Sequence, residues 1–308
     1  MSTPNHTTVT EFILLRLTDD PVLEKILFAV FLLIHLITVV GNLCVIMLIR
    51  TSSRLHTPMY FFLGHLSFVD ICYSSNIIPN MLYNFLSDQK TISYAGCFTQ
   101  CLLFIALGIT EFYILASVAL DHYVAICSSL HYSTRMSKNI CRSLVTVPYT
   151  SNALPQTLLT FHSSFCGSLE INHFYHADPP LLMLACSDTS VKKMAMLVVA
   201  SFTQSSSLFI ILLSYLFIFA TILRMHSAEG RHKSFSTCGS HLIIVTISYG
   251  TLFCTYLRPP TEKSIEESKI IAVFYAFLSP MLNPLIYSLR NKDMNHSMQQ
   301  VIKGSFFH

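Results

Sequence analysis

The chain has 308 residues, of which 52% are hydrophobic and only 11% charged, with a formal net charge of +3. So oily a composition excludes an ordinary soluble domain, and a near-neutral balance gives no footing for nucleic-acid binding. The length allows several membrane spans of about 20 apolar residues each.

Residues 1–24 are polar and acidic, with no apolar core or small-residue cleavage site, so no removable signal peptide is expected. The first span would act as an uncleaved signal. Asn5-His6-Thr7 is a glycosylation acceptor if this end lies outside the cell. Seven spans follow, at roughly 26–49, 59–83, 97–120, 140–162, 194–222, 238–257 and 268–289. The fourth is the most polar, carrying Ser143, Thr146, Thr150, Ser151 and Asn152. Runs such as 207–220 lack charge and an amphipathic period, which argues against very oily helices of a soluble protein.

An outside N-terminus places eleven Lys and Arg residues in the inner segments against two acids, Glu229 and Asp293. The outer segments hold the other eight basic residues and eleven acids. That modest positive-inside bias sets the N-terminus outside and the tail, 290–308, in the cytoplasm. The chain has no internal repeat or linker. It reads as one domain, 1–308, with an outer N-terminus (1–25) and a seven-helix bundle (26–289). The fold class expected is an all-α membrane protein.

Within the first span, Gly41 allows close helix approach and Asn42 seeks an interhelical partner. Leu55-His56-Thr57-Pro58-Met59-Tyr60 makes the first inner turn, with Pro58 suited to open the second helix. Asp70 and Glu111 are carboxyls at membrane depth, which are costly unless paired or hydrated. Facing one another, they would share a proton or hold a hard cation. Span three ends in Ala119-Leu120-Asp121-His122-Tyr123-Val124-Ala125-Ile126-Cys127. Span six opens on Lys233-Ser234-Phe235-Ser236-Thr237-Cys238-Gly239-Ser240-His241-Leu242 and continues to Ser248-Tyr249-Gly250-Thr251. Span seven ends in Pro280-Met281-Leu282-Asn283-Pro284-Leu285-Ile286-Tyr287-Ser288-Leu289-Arg290-Asn291. Pro284 frees a backbone carbonyl inside a helix, and a membrane span tolerates that only where neighbours satisfy the group.

These strings, in this order, resemble the signatures of the odorant receptors, within the rhodopsin-like superfamily. The resemblance covers nearly the whole chain. It implies a plasma-membrane receptor in contact with lipid that binds small volatile molecules and activates a heterotrimeric G protein through cyclic AMP. It makes Asp121, His122 and Tyr123 the coupling segment, and Tyr249, Asn283, Pro284 and Tyr287 the activation switch. It associates Asp70 and Glu111 with a sodium ion; the alternative is a protonated, hydrogen-bonded pair with no ion. The absence of tryptophan fits the narrower family, which has tyrosine at the toggle position.

Two positions depart from the pattern. His122 stands where the family has an arginine, and a neutral imidazole lacks the planar fork that pairs with a carboxylate. His176 stands where a loop cysteine commonly bonds the position of Cys97. With Cys166 and Cys186 that leaves three outer thiols: either Cys166 pairs with Cys186, or Cys97 captures one of them. Cys44, Cys72, Cys127, Cys141, Cys238 and Cys254 read as small apolar packers. His173 and His176 with Asp178 read as hydrogen-bonding groups, not a metal site, since no helix or hairpin is evident to fix ligands. These departures motivate the alternative of a receptor that binds without efficient coupling.

The ligand pocket is expected among spans three, five, six and seven toward the outside, lined by Phe104, Ile105, Gly108, Ile109, Ser205, Ser206, Phe209, Phe253 and Tyr256. That lining is mostly apolar with a few hydroxyls, as uncharged odorants require. No phosphate loop, HExxH or GxSxG occurs, so no enzyme is expected. One carboxyl pair makes no ring or relay, so a channel is not expected either.

Overall fold

The computed structural model describes residues 11–14, 20–87, 91–151, 157–158, 170–171, 190–256 and 277–305. Among the described residues the main helices are α1 (Pro21–Thr51), α2 (Pro58–Leu86), α3 (Tyr94–Cys127), α4 (Lys138–Ser151), α5 (Ser190–Arg224), α6 (Ala228–Tyr256) and α7 (Ser279–Arg290). A further helix, α8 (Lys292–Ser305), follows α7 at once. Among the described residues, α1, α2, α3 and the Leu197–Arg224 part of α5 are long and apolar enough to cross a membrane.

Local chemistry sets the helix starts. Asp20 accepts the Val22 amide at 2.8 Å ahead of Pro21, and Pro58 opens α2. Ser93 Oγ accepts the Gly96 amide at 3.1 Å and starts α3. Asn291 Oδ1 accepts the amides of Asp293 and Met294 at 3.0 and 3.1 Å, ending one helix and opening the next. Tyr60 donates to the same Asn291 oxygen at 2.9 Å, so the start of α2 fixes the corner at which α8 turns away.

Helix α3 lies at the centre, against α2, α4, α5 and α6, while α7 packs on α1, α2 and α6. The inward face of α5 is regular: Thr203, Ser207, Ile211, Ser214, Ile218 and Ile222 are buried, at steps of three and four. Its opposite face is a broad apolar stripe, including Phe202, Leu212 and Leu216.

One element was not expected. A three-stranded sheet in the order β2-β1-β3 joins β1 (Glu11–Leu14), β2 (Thr91–Ser93) and β3 (Glu170–Ile171) at the N-terminal end of α3. Strand β1 is central, antiparallel to β2 and parallel to β3. Phe12 is fully buried and stacks on Tyr94, with ring centroids 6.2 Å apart.

Candidate functional site

Three layers of polar contacts run down the bundle. The first surrounds Pro284, inside α7. Pro284 carries no amide hydrogen, so the carbonyl four residues back, on Pro280, loses its helical donor. Asn42 Nδ2 supplies one from α1, at 3.0 Å from Pro280 O and 3.0 Å from Thr38 O. Gly41 makes the approach possible: a Cβ there would come within 3.3 Å of Pro284 Cγ.

Beside this lies the carboxyl layer. Asp70 and Glu111 are both buried. Asn283 Nδ2 donates to both Asp70 oxygens, at 3.0 and 3.3 Å. Ser248 donates to Glu111 Oε1 at 3.4 Å. The layer thus joins α2, α3, α6 and α7.

Toward the β-sheet end, Tyr249 shares a 2.7 Å hydrogen bond with Ser207 and meets Phe112 edge-on, with centroids 5.0 Å apart. Tyr113 and Ser206 share another across α3 and α5 at 3.0 Å. Phe104 packs its ring on Tyr73 at 5.2 Å, and Ile105 and Ile109 are half-buried. Gly108 has nothing within 4 Å of where a Cβ would stand.

Ser205 and Phe209 require correction. Both lie on the outward face of α5, with Phe209 64% exposed. They are two positions from Thr203 and Ser207, about 200° around the helix, and so point away from the bundle. Thr203 and Ser207 occupy the inward place that the sequence reading gave them. Phe253 stands one turn beyond Tyr249 and is 44% exposed. The side chain of Tyr256 lies outside the described residues, as do Asn5, Cys166, Cys186, His173, His176 and Asp178. Cys97 is buried near the start of α3.

The third layer surrounds His122. Its imidazole is 5% exposed, with Nδ1 3.3 Å from the Tyr215 hydroxyl on α5. Tyr215 is also 2.8 Å from Nδ1 of His241 on α6, and His241 Nε2 is 3.0 Å from the Leu115 carbonyl. These contacts assign a direction. A carbonyl only accepts, so His241 Nε2 carries the hydrogen and Nδ1 of the neutral ring is an acceptor. Tyr215 therefore donates to His241, and its oxygen accepts from His122 Nδ1–H. His122 thus ties α3 to α5, and through Tyr215 to α6. Asp121 is engaged elsewhere: Tyr132, from the short helical turn Tyr132–Arg135, donates to Asp121 Oδ1 at 2.7 Å. Burial and the Asp121 charge hold the Tyr132 phenol above its ordinary range, which keeps it a donor. Tyr123 packs on Phe217, with centroids 5.8 Å apart. Tyr287 is buried, its hydroxyl making no hydrogen bond.

Among the described residues, six other helices with the third at their centre, and a proline inside the last beside a buried carboxyl pair, define a bundle of the rhodopsin type. The solved structure of squid rhodopsin superposes with a TM-score of 0.73 at 16% identity, over 96% of this chain and 91% of that one. The family model for olfactory receptors matches residues 31–304. Human olfactory receptor 5M10 is 80% identical, over 100% of this chain and 98% of its own. Human olfactory receptor 5M1 is 78% identical, over 100% and 99%. Mouse olfactory receptor 5M5 is 61% identical, over 97% and 95%. The chain belongs to the olfactory receptor family; it is a receptor and not an enzyme.

Proposed function

We propose that this chain is a multi-pass plasma-membrane receptor that binds a small volatile odorant and activates a heterotrimeric G protein, raising cyclic AMP. The observation that carries this reading is the full-length identity of 80% to a human olfactory receptor. The bundle supports it with a hydroxyl-bearing region between α3, α5 and α6 at one end and the Asp121-His122-Tyr123 segment at the other. Ligand contact is assigned to Phe104, Ile105, Gly108 and Ile109 of α3, with Ser206 of α5 and Phe253 and Tyr256 of α6.

The end that carries His122 faces the cytoplasm. Arg50, Arg54, Arg135, Lys138, Arg142 and Arg224 all lie at helix ends or turns on that side, as the positive-inside bias requires. The apolar outer stripe of α5 faces lipid. Activation shifts the bundle between two arrangements, moving the inner end of α6 away from α3. Tyr249, Asn283, Pro284 and Tyr287 lie along the path between the two ends. A sodium ion there would be held by the carboxyl oxygens of Asp70 and Glu111, with the Ser248 hydroxyl beside Glu111; the alternative is a protonated, hydrogen-bonded pair, with the Asn283 amide on both Asp70 oxygens. Such an ion would offset one of the two negative charges if both carboxyls ionised.

A cyclic-AMP reporter screen against an odorant panel, with surface expression read in parallel, tests the proposal. Odorant-evoked signal in cells that carry the receptor, absent from cells without it, is the expected result. A receptor that reaches the surface and answers no odorant counts against it.

A further inference from the structure

The start of α6 carries chemistry that ligand binding and coupling do not use. In sequence, Arg231 stands three residues before Ser234 and Lys233 one before it, and Phe235 follows at once. A guanidinium at that spacing suits a carboxylate-lined cleft, and an apolar residue just beyond suits a hydrophobic pocket. That is the substrate pattern of arginine-directed serine kinases. Three other hydroxyls of the inner segments follow an arginine by three residues, and each lacks a further part of the pattern. Ser53 is followed by Arg54 and Thr57 by the rigid Pro58. Ser227 is followed by the small Ala228, and its Oγ accepts the Gly230 amide at 3.2 Å at the start of α6.

The structure leaves this stretch open to such a partner. Helix α6 has 29 residues, about 43 Å at 1.5 Å per residue, against about 30 Å of hydrocarbon. Its charged first turns, with Glu229, Arg231 and His232 all exposed, are the part that stands out of the membrane. Gly230 weakens that end, by about 1 kcal/mol relative to alanine. A kinase reads an extended strand, and these turns are the part of α6 that unwinds at least cost. Ser234 is half-buried, while Phe235 is 48% exposed and meets Phe219 of α5 edge-on, with centroids 6.4 Å apart.

We infer that Ser234 is a phosphorylation site for an arginine-directed kinase, and that its phosphate restrains signalling. The restraint rests on the odorant-receptor reading and adds regulation to it. The γ-phosphoryl group of ATP passes to Ser234 Oγ: the bond from that phosphorus to the β–γ bridging oxygen breaks, ADP leaves, and the hydroxyl proton goes to solvent. The phosphate brings about two negative charges. Cys238, one turn further into the bundle on the same face, clusters with Ile218 and Ile222 of α5, and Cys127 at the end of α3 packs against that cluster. The phosphate therefore stands at the mouth of the cleft where the inner end of α6 must part from α3. Arg231, three residues back on the same face, is placed to pair with it. A receptor that raises cyclic AMP is thereby restrained by a kinase that cyclic AMP switches on.

The test incubates the purified full-length receptor in detergent with ATP and the catalytic subunit of a cyclic-AMP-dependent kinase, and locates the phosphate by mass spectrometry. The parent should take up phosphate at Ser234. Ser234→Ala should lose most of the uptake, and Arg231→Ala should slow it about tenfold, as loss of one charge-assisted contact predicts. Locating the phosphate in the parent decides the site even if a variant folds poorly. No uptake, phosphate on other residues only, or equal rates in the parent and Arg231→Ala overturns the inference. In cells, G-protein subunit dissociation is read under a mixed set of volatile aldehydes, ketones, esters and alcohols, before and after a permeant cyclic-AMP analogue activates the kinase. Kinase activation should lower the response of the parent and spare Ser234→Ala at matched surface level. An equal fall in both, or no fall in the parent, overturns the restraint. Silence toward the whole set, from a receptor that takes up phosphate at Ser234, defeats the receptor reading and the restraint with it, but not the site.

Discussion

Asn42 donates its side-chain amide to the carbonyl of Pro280, across the interface between α1 and α7 at 3.0 Å. That carbonyl is the one Pro284 deprives of a helical partner. Removing the amide with Asn42→Leu leaves a buried carbonyl bare and should cost about 1–3 kcal/mol. In a Pro284→Ala background the helix supplies its own amide, so the same change should cost clearly less. Thermal unfolding of the four detergent-solubilised receptors gives the cycle. Equal losses in both backgrounds would show that the two residues act independently.

Asp70 and Glu111 should behave as a unit. Each is buried, and each is held by a polar group from another helix, Asn283 or Ser248. Whether they share a proton or a cation, neutralising one strands the other. Asp70→Asn and Glu111→Gln should therefore lose ligand-evoked signal non-additively, the double change losing less than the sum. Additive losses at equal expression would separate the two carboxyls.

His122→Arg should raise odorant-evoked signal at matched surface expression without changing which odorants act, because the site is at the opposite end from the ligand region. Tyr215→Phe removes the hydroxyl that bridges His122 and His241. It should raise ligand-independent signalling, since it unties α3 from α6 at the end where α6 must move. Unchanged basal cyclic AMP in Tyr215→Phe would mean that the chain of bonds does not restrain the bundle.

Phe12→Ala should release the N-terminal strand. Phe12 is fully buried and stacked on Tyr94, and removing a buried aromatic ring costs about 3–5 kcal/mol. Amides of β1 and β2 should then exchange hydrogen faster, while those in the middle of α3 stay protected. Uniform exchange across both versions would show that the ring does not hold the strand.

The apolar runs located α1, α2, α3 and α5, because a bilayer demands some twenty apolar residues in a row; parts of the expected spans 140–162 and 268–289 lie outside the described residues. The partner for the carbonyl freed by Pro284 was also foreseeable in kind, though not that Asn42 supplies it. The face of α5 was not legible. It is apolar nearly all round, so nothing in its period separates Thr203 and Ser207 from Ser205 and Phe209 until α3 and α6 are packed against it. His122 stood out as a departure from the family pattern, yet its partners did not. Tyr215 and His241 lie on other helices, and only packing brings them to it. The sheet escaped notice because its strands are two to four residues long and pair with segments far away in sequence.

That sheet also constrains how the receptor is made. Strand β1 is synthesised first but sits in the middle, and its neighbours emerge only after α2 and α4. The N-terminal segment can meet β2 once two helices have entered the membrane, but its other edge must wait, unpaired, until four have. The three-stranded sheet can close only when the chain beyond α4 has crossed back to the same side. Its closure is a late event in biogenesis, and a receptor whose first helices insert out of order would leave the segment exposed to folding surveillance.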